Sequence, residues 1–161
     1  MSRRILIVGC PGSGKSTFAR RLAEKTGIPL YHLDVIYWRE DRTHLTHEEL
    51  IQQLIPIMAQ DSWIIDGNYN GTMPLRVSYC DEVIMLDYPA EVCLSGVRAR
   101  IGTQRPDMPW VETQEDPEFM DFIRAYPEQS RPKVYALMAQ HPEKRFTVFR
   151  TRDEAEEYLQ G

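Results

Sequence analysis

No stretch of this chain stays apolar for long. Its apolar runs, Ile5–Val8 and Val83–Leu86 among them, are no longer than a strand, whereas a bilayer span needs about 20 residues. Behind Met1-Ser2-Arg3-Arg4 only four apolar residues precede Gly9, less than the apolar core of a secretory signal. Positive charge is not in excess: 19 Lys and Arg against 24 Asp and Glu give a formal net charge of −5. No overall field therefore draws the chain to nucleic acid or to an anionic membrane. Cysteine is scarce: Cys10, Cys80 and Cys93 are odd in number and carry no metal-ligand spacing, so reduced thiols and a cytoplasmic location are the expectation. No helix-turn-helix, zinc-finger or basic-stripe pattern is present, and direct nucleic-acid binding is not expected. Any anion held here must be gripped by cations clustered locally.

What is present fits one domain of 161 residues, large enough to bury about two-thirds of its unfolded surface. Residues 4–8, Arg-Ile-Leu-Ile-Val, predict a buried strand stopped by a glycine-rich turn. A helix of about ten residues follows, with Phe18 and Leu22 on one face and Gly27 past its end. Further strands are predicted at 29–33, ending at Asp34, at Trp63–Asp66, at Glu82–Asp87 and at Arg145–Arg150. Helices are predicted after Thr46-His47-Glu48-Glu49, over about 90–101, 117–126 and 131–140, and after Thr151-Arg152-Asp153-Glu154. Pro56 should kink or shorten the first of these. Six prolines punctuate 102–142, and 102–116 reads as a mobile excursion. Strands alternating with helices predict an α/β fold: a doubly wound, five-stranded parallel sheet covered on both faces.

Gly9-Cys10-Pro11-Gly12-Ser13-Gly14-Lys15-Ser16 fits G-x-x-x-x-G-K-[ST] in full, between a buried strand and a helix. In such a P-loop, successive N–H groups turn inward on one anion and the helix adds its positive end. Gly9, Pro11, Gly12, Ser13, Gly14, Lys15, Ser16 and Thr17 are thus the candidate binders of a purine nucleoside triphosphate, ATP. Lys15 would bridge the β- and γ-phosphates and Ser16 would ligate Mg²⁺, each charge-assisted bond contributing about 1.5–3 kcal/mol.

Ligands in open parallel sheets sit beyond the C-terminal strand ends, which makes Asp34, Asp66 and Asp87 worth weighing. Asp66, before Gly67, is the candidate partner of Mg²⁺; Asp87 reads more as a cap. Asp34 could be a general base, could orient an acceptor, or could cap the next segment. Arg98, Arg100 and Arg105 flank the proline-rich excursion, where a transferring phosphoryl group would need cations; Arg98 and Arg105 are the candidate catalytic pair. Arg76 and Arg131 are candidates for gripping the acceptor, and Arg152 either stacks on a base or is solvated. Tyr37 and Trp38 line an acceptor pocket or simply pack. The four histidines share no spacing, and no histidine metal site is expected.

Over almost its full length the chain resembles the bacterial topology-modulation proteins, a branch related to adenylate kinases. The likeness rests on the P-loop, on Tyr31-His32-Leu33-Asp34 with Tyr37-Trp38, on Trp63–Tyr69, on Arg105-Pro106-Asp107-Met108 and on Ser130–Lys133. It implies a nucleoside-monophosphate-kinase-like fold with an acceptor-binding part over 34–60 and a LID over about 99–125. It also implies Mg²⁺ at Asp66 and LID arginines at Arg98 and Arg105. Adenylate kinases carry a Gly-Phe-Pro-Arg-like stretch after the third strand, where this chain has Gly67-Asn68-Tyr69-Asn70. The resulting expectation is ATP- and Mg²⁺-dependent phosphoryl transfer to a small molecule or nucleotide, with adenylate itself not implied. The alternative is an ATP-binding regulator with an indirect effect on DNA topology. The sequence sets no oligomeric state.

Overall fold

The computed structural model describes residues 2–161. Five strands, β1 (Arg4–Gly9), β2 (Leu30–His32), β3 (Trp63–Asp66), β4 (Glu82–Leu86) and β5 (Arg145–Phe149), form one parallel sheet in the order β2-β3-β1-β4-β5. β1 therefore runs through the centre, with β3 and β4 paired to its two edges. Its residues Ile5–Val8 are fully buried, as are Trp63–Ile65 of β3 and nearly all of β4. A sheet covered on both faces has no polar side to alternate with, which is why these strands read as unbroken apolar runs.

The helices are α1 (Lys15–Thr26), α2 (Leu33–Tyr37), α3 (His47–Met58), α4 (Met73–Tyr79), α5 (Ala90–Arg100), α6 (Pro117–Gln129), α7 (Arg131–Ala139) and α8 (Arg152–Gln160). Both expected capping boxes form. Thr46 Oγ1 accepts from the Glu49 N–H at 3.1 Å, and Thr151 Oγ1 accepts from the Glu154 N–H at 3.2 Å. Each glutamate reaches back to the cap's own N–H, so two backbone donors that a helix start leaves orphaned are satisfied together. α1 differs: Gly14 sits at its N-cap in the left-handed region and no side chain caps it.

Several expectations are corrected. Leu33 and Asp34 do not extend the second strand; they open α2. α6 runs past its expected end at 126 to Gln129 and contains Pro127, whereas α3 ends two residues after Pro56, at Met58. A 3₁₀ turn at Asn70–Thr72 and the helix α4 fill a stretch for which no element was expected. Residues 102–116 hold neither helix nor strand, and the loop is closed at its base by the Gly102 N–H donating to the Glu112 carbonyl at 2.6 Å. All three cysteines are free and buried.

Candidate functional site

The P-loop lies at the C-terminal end of the central strand. Its turn is closed by the Ser13 N–H donating to the Cys10 carbonyl at 3.0 Å. Asn68 holds it from β3: the Gly9 N–H donates to Asn68 Oδ1 at 3.1 Å, and Asn68 Nδ2 donates to the Gly9 carbonyl. From the other side α5 presses directly on the loop backbone. A Cβ at Gly12, whose φ is +87°, would stand 2.0 Å from the Cys93 carbonyl, and one at Gly96 would stand 2.1 Å from the Gly12 carbonyl. Only two glycines allow that approach, so the helix leading into 102–116 is seated on the phosphate loop itself. This backbone contact was not read from the sequence, although a glycine inside a helical pattern can mark close packing.

A cavity of about 1200 Å³ opens above the loop. Pro11, Gly12, Gly14, Lys15, Ser16 and Thr17 line one end of it. Arg20 donates to Ser16 Oγ at 2.8 Å and to Thr17 Oγ1 at 3.3 Å, and Arg152 donates to the Ser13 carbonyl at 3.4 Å with its guanidinium 5.5 Å from the Tyr88 ring centre. Arg152, an exposed side chain, thus lines the cavity against the loop. The Ser13 hydroxyl, just beneath, is buried without a partner. A buried donor left in that state suits a loop that is completed by ligand oxygens.

Asp66 and Asp34 lie on the floor of the same cavity. Asp66 is in register with His32 across β2 and β3, and His32 Nδ1 lies 2.7 Å from Asp66 Oδ2. This partner was missed from the sequence, because pairing two strand ends needs the register. Ser16 and Asp66 supply oxygen donors on the cavity wall, the donor type Mg²⁺ takes alongside phosphates and waters. Asp34 is half-buried, and burial raises its pKa above the ordinary carboxylate value while the nearby Lys15 pulls it back.

The arginines sort differently from expectation. Arg105 lines the cavity, 3.4 Å from Asp107 and 3.8 Å from Glu112. Arg98 does not line it: half-exposed, it pairs with Glu115 at 2.7 Å on the rim. Arg100, two residues on, does line the cavity, and its Nε is buried and unpartnered. Burial lowers its pKa, so a ligand anion would relieve it. Arg131 is 3.6 Å from Asp87, a buried carboxylate that also accepts from Tyr135 at 2.8 Å, and it stands outside the cavity lining. Asp87 anchors α7 and the end of β5 through Arg131, Tyr135 and Arg150, and it does not cap the next helix, whose N-cap is Pro89.

Arg76 is the clearest correction. It is fully buried, and its guanidinium donates to Thr72 Oγ1 at 3.0 Å and to the Gly67 and Tyr69 carbonyls at 3.0 and 2.8 Å. Burial pushes its pKa down to about 10. Rather than gripping an acceptor, it braces the turn that presents Asn68 and Tyr69.

Beyond Asp34 the cavity is walled by Tyr37, Trp38, Tyr69 and Trp110. Tyr37 stacks on His44 at 4.8 Å and meets Tyr69 at 4.9 Å, and Trp38 meets Trp110 edge-on at 5.6 Å. Trp110 belongs to the 102–116 loop, so this contact joins that loop to the segment after β2. Tyr37 and Trp38 therefore both pack and line the cavity.

No family model matches the chain. Among curated proteins it is similar to the adenylate kinase of Thermotoga neapolitana, 33% identical over 95 residues, which are 57% of this chain and 42% of that protein. The adenylate kinase of Mycobacterium leprae is 35% identical over 79 residues, 40% of this chain and 44% of the relative. The chain thus spans less than half the length of the curated relatives it matches. Among solved structures, a shikimate kinase from Bacteroides thetaiotaomicron superposes with a TM-score of 0.56 at 22% identity, covering 99% of this chain and 95% of that one. A gluconokinase from Sinorhizobium meliloti 1021 gives 0.61 at 16% identity, covering 99% and 88%. At these identities the likeness is one of fold, and the parallel five-stranded P-loop architecture is shared across the whole chain.

Proposed function

We propose that the protein is a P-loop kinase, which transfers the γ-phosphoryl group of ATP to a small molecule or nucleotide acceptor with Mg²⁺. One observation carries the reading: a single cavity joins Lys15 and Ser16, at a loop built for phosphates, to Asp34 and the arginines that border 102–116. The adenylate kinase relatives and the full-length fold likeness to two small-molecule kinases support it. The resemblance to the topology-modulation proteins supports the same assignment through the P-loop and Arg105–Met108, and an effect on DNA topology would then be indirect.

In this reading Gly9–Thr17 and Arg152 hold the nucleotide, and Lys15 bridges its β- and γ-phosphates. Ser16 and Asp66 would hold Mg²⁺, which neutralises charge developing between those phosphates. Residues 34–60 form the acceptor-binding part and about 99–125 the LID. Arg100 and Arg105 face the transferring group, and Arg98, paired with Glu115 on the rim, steadies the LID. Asp34 receives the proton of an acceptor hydroxyl or orients the acceptor.

Closure over the cleft keeps water from taking the phosphoryl group. Amide hydrogen exchange over 102–116 is therefore expected to slow when a non-hydrolysable ATP analogue and Mg²⁺ are added at saturation. Unchanged exchange there would remove the LID assignment and favour a regulator that only senses nucleotide.

A further inference from the structure

The cleft's charges point to the kind of acceptor, an inference that rests on the kinase reading and narrows it. We propose that the acceptor is a non-anionic alcohol, bound by an apolar or ring face against the aromatic wall beside Asp34.

Recognition of a phosphate or carboxylate needs a fixed, available cation near the place where that group would rest. Apart from Lys15, Arg42 and Arg100, the cations around this cavity are already partnered. Arg76, on the acceptor side of the third strand, is fully buried with its guanidinium spent on Thr72, Gly67 and Tyr69. Arg20 and Arg152 attend the phosphate loop through Ser16, Thr17 and the Ser13 carbonyl. Arg105 stands between Asp107 and Glu112, and Arg42, at the exposed mouth, lies 5.2 Å from the ring centre of Trp110. Arg100 keeps an unpartnered Nε, and a transferring phosphoryl group would claim it.

What remains beside the transfer point is a carboxylate and aromatic carbon. An acceptor bearing its own anion would have to rest against Asp34 while Lys15 and Arg100, the cations whose charge reaches that carboxylate, face the phosphates of ATP, and like charges set together are unfavourable. A hydroxyl suits the same place. Its oxygen would bond the γ-phosphorus as the bond from that phosphorus to the β–γ bridging oxygen breaks. ADP would leave with that electron pair, and the proton would pass to the Asp34 carboxylate. The rings of Tyr37, Trp38, Tyr69 and Trp110 offer a surface for the C–H face of a sugar, or for a planar base.

The test uses matched pairs: adenosine with AMP, ribose with ribose 5-phosphate, and glucose with gluconate. Each is supplied with γ-labelled ATP and Mg²⁺. Label should reach a neutral member with a kcat/KM about 100-fold or more above that of its anionic partner. Binding is read separately from Trp38 and Trp110, which line the cavity while Trp63 is fully buried. With the non-hydrolysable analogue bound, at least one neutral member should perturb tryptophan emission at lower concentration than its anionic partner. Preference for the anionic members in either assay, or no discrimination in the binding assay, overturns the inference. Discrimination in binding without label transfer to any of the six would count against the kinase reading and leave standing only the cleft's selection of a neutral hydroxyl compound.

Discussion

Replacing Lys15 by alanine should abolish phosphoryl transfer, a loss of about 10³-fold or more in kcat, in keeping with removing a preorganised charge from a transition state. Lys15 is the first residue of α1 and lines the cavity directly above the loop. No other cation stands in the P-loop itself, between Gly9 and Ser16. Arg20 and Arg152 approach from the sides but are tied to Ser16, Thr17 and the Ser13 carbonyl. Losing one charge-assisted bond of about 1.5–3 kcal/mol should weaken ATP binding by about 10- to 150-fold. The fold should survive, because the apolar face of α1 is carried by Phe18, Ala19 and Leu22. Calorimetric titration with ATP, with circular dichroism as the control, checks both halves. Normal turnover in a correctly folded Lys15→Ala protein would rule out the phosphate-loop mechanism.

Asp34→Asn should pull activity and stability in opposite directions. The substitution keeps shape and removes the charge, so loss of a general base should lower kcat by about 10²-fold or more. ATP affinity should hardly change, since the role proposed for Asp34 is toward the acceptor. Stability follows from burial, which raises the folded-state pKa of Asp34 above the ordinary carboxylate value. A group so shifted contributes stability that is fully present below its unfolded pKa and is lost as pH rises through the folded value. At neutral pH the ionised carboxylate therefore costs the fold, and Asp34→Asn should have the higher Tm. The gap should close as pH falls through the raised value, and wild-type kcat should fall over the same range as the base is protonated. Equal kcat on a hydroxyl acceptor would refute the base role, and weakened ATP binding would show that Asp34 organises the metal instead.

The sheet and the phosphate loop were legible because their signals are local. An apolar run such as Ile5–Val8 reads as a fully covered strand when a glycine-rich turn stops it, and the capping boxes at Thr46 and Thr151 announce their helices within four residues. What failed depended on neighbours distant in sequence. No element was expected over Asn70–Tyr79, although proline is favoured in the first turn of a helix, and Pro74 sits there in α4. With α4 unread, Met73, Arg76 and Val77 were not recognised as one buried stripe at helical spacing, and Arg76 was assigned to a ligand that it cannot touch.

The same limit explains the rest of the site. Arg98 and Arg100 are two residues apart on α5, so they leave the helix in different directions: one reaches Glu115 on the rim and the other lines the cavity. Their sequence spacing from Arg105 does not say which is which. His32 and Asp66 meet because β2 and β3 pair in a particular register, and Asn68 reaches Gly9 because β1 and β3 are neighbours. Composition carries none of this.

The central claim is that the γ-phosphoryl group leaves ATP for a small acceptor. Its most direct test follows γ-labelled ATP, with Mg²⁺, in a desalted mixture of neutral sugars, nucleosides and nucleoside monophosphates, and separates the labelled products. The account predicts label in an organic phosphate, dependent on Mg²⁺ and absent with the Lys15→Ala protein. Label that stays in ATP or appears only as inorganic phosphate, with ATP shown to be bound, would contradict it.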